Sequence, residues 1–99
     1  MQFNTQNFVC QRTEHQVITI TFANNWREND IPAISEVILA KLTNVQYGEQ
    51  IIGADRVTLQ FYWQQPWLLH FELYSQSIWL EPAYDDSSKL SDLMHNLTV

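Results

Sequence analysis

The sequence predicts an α+β domain: a mostly antiparallel sheet of four to five strands with two helices packed on one face, in the order β-β-α-β-β-β-α. Three observations carry this. Several short segments rich in β-branched and aromatic residues alternate apolar with polar side chains. Two other segments repeat their apolar residues at helical spacing. The chain has 99 residues, 45% of them hydrophobic, which is material for one core and not two. At this length folding removes roughly 65% of the unfolded surface from water, so no covalent staple is needed. Residues 1–99 therefore read as a single domain, with the polar residues 1–7 frayed.

Residues 8–12 form a short first strand. Residues 17–22 form a stronger one, in which Ile18, Ile20 and Phe22 alternate with Thr19 and Thr21. Glu14, His15 and Gln16 make the turn between them. Asn24 and Asn25 end the second strand, and a helix follows. Asp30 can cap its free N–H groups, while Pro32 sits in the first turn, where a missing N–H costs nothing. Ile34, Val37, Ile38, Leu42 and Val45 line one stripe, and Gly48 is read as the stop. Ile51 and Ile52 are read as a loop tucked against the core. With a right-handed crossover, the Val17 strand runs parallel to the Val57 strand.

The next three strands are the most informative. Val57, Leu59, Phe61 and Trp63 alternate with Thr58, Gln60 and Tyr62; Leu69, Phe71 and Leu73 alternate with Leu68, His70, Glu72 and Tyr74; Ile78 and Leu80 flank Trp79. Opposed residues of an antiparallel pair share a face, so turn length can be chosen to keep apolar opposite apolar. A three-residue turn at Gln64, Gln65 and Pro66 sets Phe61 opposite Leu69. A two-residue turn at Ser75 and Gln76 sets Leu73 opposite Ile78, although it lacks the Gly or Asn that tight hairpins prefer. Pro82 ends the meander. Asp85, Asp86, Ser87 and Ser88 supply caps for a closing helix with Leu90, Leu93, Met94 and Leu97 on one stripe.

This register also dictates the outer face. One row holds Gln60, His70 and Glu81, the next Thr58, Glu72 and Trp79; Tyr62 pairs with Leu68 and Arg56 with Tyr74. With both helices on the other side, Tyr62, Leu68, His70, Tyr74 and Trp79 form an uncovered aromatic patch, the kind of surface that takes a partner. The expected function is non-enzymatic protein–protein interaction, either as a homodimer or as an inhibitor- or immunity-like binder of a basic partner. The rival is a small enzyme or ligand-binding module centred on His70, Glu72 and Glu81, in which a carboxylate beside an imidazole tunes it for acid–base work.

Charge and motif narrow the classes. Eleven carboxylates against five scattered Lys and Arg give a net charge of −6, which argues against nucleic acid and anionic membranes as partners. An acidic surface does favour encounter with a basic protein. A single cysteine and an N-terminus without a secretory pattern point to the cytoplasm. Cys10 on an inward strand position reads as a small core residue. His15, His70 and His95 lack metal-ligand spacing, the acidic run at 81–92 lacks a calcium loop, and two glycines make no phosphate loop. No cofactor or metal is expected. Trp63 and Trp67 are expected to close the rim of the core, each indole N–H reaching water or a carbonyl.

Overall fold

The computed structural model describes residues 8–13 and 15–98, so the expectation for residues 1–7 and the place of Glu14 in its turn lie outside the described residues. It is a small α+β fold whose six strands make one sheet in the order β1-β2-β6-β5-β4-β3, with every neighbouring pair antiparallel. The elements are β1 (Phe8–Arg12), β2 (Ile18–Phe22), α1 (Ile31–Leu39, entered through a 3₁₀ turn at Glu28–Asp30), β3 (Gln46–Ile52), β4 (Arg56–Tyr62), β5 (Pro66–Glu72), β6 (Ser77–Pro82) and α2 (Leu90–Thr98).

The first helix is shorter than its apolar stripe implied. It stops at Leu39, Leu42 stays buried in the turn that follows, and Asn44 takes a left-handed φ of 60° that redirects the chain. Its start differs too. The Asp30 side chain does not cap α1; its carboxylate accepts the Arg27 N–H at 2.8 Å and closes the preceding 3₁₀ turn.

The residues expected to finish the helix and loop back form an extra strand instead. Gly48 lies inside β3, and Ile51 and Ile52 are 50% and 67% exposed, not tucked against the core. A register shift between Tyr47 and Gln50 marks a bulge that puts Tyr47, Gln50 and Ile52 on one face and breaks the period-two pattern. Gly48 fits this close approach because a Cβ there would meet both Cβ and O of Gln60 at 3.1 Å. Gly48→Ala should therefore cost about 1 kcal/mol, as overpacking does. A urea midpoint unchanged by that substitution would mean the strands part at no cost.

The crossover from β2 does not reach the Val57 strand. It travels to β3 at the far edge, and successive antiparallel pairings leave β3 parallel to β2 and β4 antiparallel to it. Both hairpin registers also differ from the expected ones by two residues. Phe61 faces Trp67, Leu59 faces Leu69, and Val57 faces Phe71; across the next pair, Leu69 faces Leu80 and Phe71 faces Ile78. The first turn keeps three residues but begins at Trp63, with Gln64 at φ 63°. The second spans Leu73 to Gln76, with Gln76 at φ 56°. An even slip leaves the side chains that remain paired on their expected faces, so the core survives the change.

That core gathers both helix stripes onto one side of the sheet: Ile34 and Ile38 from α1 and Leu90 and Leu93 from α2, packed with Ile18, Leu69, Phe71 and Leu80. Trp67 is fully buried, deeper than the rim position expected, and its Nε1–H donates to the Trp63 carbonyl at 2.8 Å, a carbonyl being one of the two expected partners. Trp26 packs edge-on against Phe71 at 5.7 Å, and its backbone N–H donates to the Gln76 side chain at 2.9 Å, tying the β5–β6 turn to the helix side.

Candidate functional site

The outer face carries three cross-strand rows set by the observed register. Arg56, Glu72 and Ser77 form one; Thr58, His70, Trp79 and Thr19 the next; Gln60, Leu68 and Glu81 the third, with Tyr62 opposite Pro66 beyond it. The rows expected from the sequence are corrected accordingly. Gln60 faces Leu68 and not His70, Tyr62 faces Pro66 and not Leu68, and Arg56 faces Glu72 and not Tyr74.

The middle of this face is a compact polar–aromatic cluster. The His70 and Trp79 rings stack at 4.8 Å, and the Arg56 guanidinium lies 5.1 Å from the Trp79 ring centre. Thr58 Oγ1 and His70 Nδ1 share a 2.8 Å hydrogen bond. On the other side, His70 Nε2 lies 3.2 Å from Glu81 Oε2, which also accepts the Trp79 Nε1–H at 3.1 Å. Glu81 thus reaches His70 diagonally, from beside Leu68, and not from directly opposite as the expected register had it.

Burial decides the chemistry of this cluster. His70 is only 8% exposed, and burial pushes its imidazole below the usual histidine range; Glu81 opposes that shift and Arg56 adds to it. At neutral pH the ring is neutral. An Nε2–H turned toward Glu81 leaves Nδ1 free to accept the Thr58 hydroxyl, which matches each polar atom to a complementary neighbour. The orientation at Nε2 falls short of a hydrogen bond, leaving the contact electrostatic. The arrangement holds a ring in place and offers solvent little of it.

Glu72 stands apart from His70. Its carboxylate accepts the Ser75 hydroxyl, the Ser75 N–H at 3.0 Å and the Tyr74 N–H at 3.3 Å. Those hydrogen bonds, the Ser75 hydroxyl foremost, hold Glu72 below the usual carboxylate range. It is a clamp on the β5–β6 turn. Tyr74 belongs to that turn and is 83% exposed, so the expected site residues Tyr62, Leu68, His70 and Trp79 share the sheet face while Tyr74 hangs from its end. Cys10 is partly buried, and burial pushes its thiol up to about 11 against the opposing pull of Lys41, so it stays protonated. Among the described residues no three His, Cys, Asp or Glu side chains gather as a metal site would require.

Two residues that sequence reasoning missed stand at the end of the sheet beside this face. Tyr47 and Tyr84 line, with Tyr62, Pro66 and Leu68, a cleft of about 340 Å³ at the end of the sheet. Tyr47 was hidden with the rest of β3. Tyr84 is brought there because the chain after β6 continues along β5, the Ala83 N–H donating to the Pro66 carbonyl at 3.1 Å.

Residues 8–98 match a protein family described as "Protein of unknown function (DUF3630)". No curated protein and no solved structure matches the chain.

Proposed function

The chain belongs to the DUF3630 family, and we propose that it is a non-enzymatic, cytoplasmic interaction domain that pairs with a second copy of itself through the outer face of its sheet. The observation that carries this reading is a mixed aromatic and polar sheet face with both helices on its other side. Val9 and Tyr62 are exposed on it, and Leu68 and Trp79 are half-buried. Aromatic residues of this kind anchor interfaces once water is excluded. Its charges are mixed: Arg56 sits opposite Glu72, and Glu81 lies two rows along, so a two-fold related copy can set each guanidinium against the other's carboxylates.

The enzyme or ligand-binding alternative has weaker support. It needed His70, Glu72 and Glu81 to act together, yet Glu72 is engaged by the turn and His70 is buried beneath its neighbours. Among the described residues no helix is long and apolar enough to cross a membrane.

Sedimentation equilibrium tests the reading. The wild-type chain should dimerise at micromolar concentration, and Tyr62→Glu or Leu68→Glu should weaken the dimer by about tenfold or more while circular dichroism stays unchanged. A wild-type chain that remains monomeric at millimolar concentration overturns self-pairing. Loss of binding to a basic protein, with no change in oligomeric state, would move the same face to the inhibitor-like role.

A further inference from the structure

We infer that the open edge of β3, together with the adjoining flank of α1, receives an extended peptide of alternating apolar and basic residues. β3 is the last strand of the sheet and all seven of its residues are exposed, so among the described residues its outward backbone N–H and C=O groups have no ladder partner. The opposite edge is guarded: α2 lies against β1, and the Arg12 guanidinium donates to the Ser91 hydroxyl at 2.7 Å. Beside β3 runs a mostly apolar groove of about 330 Å³, lined by Ile31, Pro32 and Glu36 of α1, Tyr47 and Gln50 of β3, and Leu59 of β4.

These features fit one kind of occupant. A strand added to β3 pairs its backbone along Gln50, Ile51 and Ile52, beyond the bulge. Its side chains then alternate: the basic ones lay their aliphatic stems along the groove toward Glu36, and the apolar ones meet Ile51 on the other face. Charge selects the rest. Glu36 lines the groove and Glu49 stands in the bulge, and among the described residues neither is paired with a Lys or Arg. A basic side chain next to the apolar one answers that field. A second copy does not: edge-to-edge pairing would set two strands that each carry Glu49 against one another in chains of net charge −6.

The test uses the full chain, labelled with ¹⁵N, and two blocked peptides: one alternating lysine with valine, the other alternating glutamate with valine. The lysine peptide should shift amides of β3 and of Ile31 to Glu36 and bind about tenfold more tightly than the glutamate peptide, less so at high salt. Glu36→Lys, on an exposed helix position, should remove that preference without changing the melting temperature. Equal binding of both peptides overturns the inference, as does no binding at millimolar peptide. Shifts confined to Trp79 and Tyr62 would also overturn it, because they place the peptide on the outer face. So would β3 shifts that track protein concentration alone, since a second copy would then occupy the edge.

Discussion

Trp67→Ala will remove about 3–5 kcal/mol of stability, a large share of the roughly 5–15 kcal/mol a domain this size possesses. The indole is fully buried on the helix side of β5, opposite Phe61 on β4 and Pro82 on β6, so three strands lose contacts together. Its removal opens a cavity in a core that cannot collapse around it, because rows of paired strands fix the backbone. It also strands the Trp63 carbonyl that accepts its N–H at 2.8 Å. Urea denaturation by far-ultraviolet circular dichroism should show the variant's midpoint well below that of wild type. Trp67→Phe should lose about half as much, since it restores much of the volume but not the donor. A loss under about 1 kcal/mol for the alanine variant would mean that the core closes without this ring.

How far this fold could be read from the chain depends on which physical rule governed each segment. The alternation of Val57, Leu59 and Phe61 against Thr58 and Gln60 assigned faces correctly because burial on one side enforces period two. The hairpin registers were harder. Apolar residues recur at every second position, so a slip of two keeps apolar against apolar and periodicity cannot detect it. Turn chemistry would have decided the matter, but Gln64 and Gln76 occupy left-handed positions where Gly or Asn is the usual signal. Side chains take over that work: Gln76 donates to the Leu73 carbonyl at 3.0 Å, and Glu72 gathers the N–H groups of Tyr74 and Ser75.

The candidate site inherited both outcomes. Tyr62, Leu68, His70 and Trp79 share the outer face because parity survived the slip. Tyr74 left it because the second turn is longer than expected, starting at Leu73. β3 was illegible for a different reason. Its bulge breaks the alternation, Gly48 resembles a helix stop, and the preceding stripe continues smoothly through Leu42. His70 was expected to be open to solvent, and only three-dimensional stacking with Trp79, itself beneath Arg56, covers it.

That covered imidazole sets the second large effect. Thr58→Val keeps the shape of the side chain but deprives His70 Nδ1 of its 2.8 Å partner in a buried place, which should cost about 1–3 kcal/mol. Adding His70→Phe to Thr58→Val removes the orphaned nitrogen as well, so the double variant should recover to within about 1 kcal/mol of wild type. The same residue makes stability depend on acid. Because burial holds the folded imidazole below its ordinary 6.5, the unfolded chain binds the proton first as pH falls. Stability is therefore complete above 6.5 and declines as pH drops toward the folded titration point, the opposite of a histidine whose folded form gains a counter-ion. Glu81 resists that decline, so Glu81→Gln should lower the imidazole midpoint further in an NMR titration and steepen the acid loss. Urea midpoints for wild type should fall between about pH 7.5 and pH 5.5, with that component missing from the double variant. An imidazole that titrates at or above the free value would show that Glu81 outweighs burial, and the acid dependence would then reverse its sign.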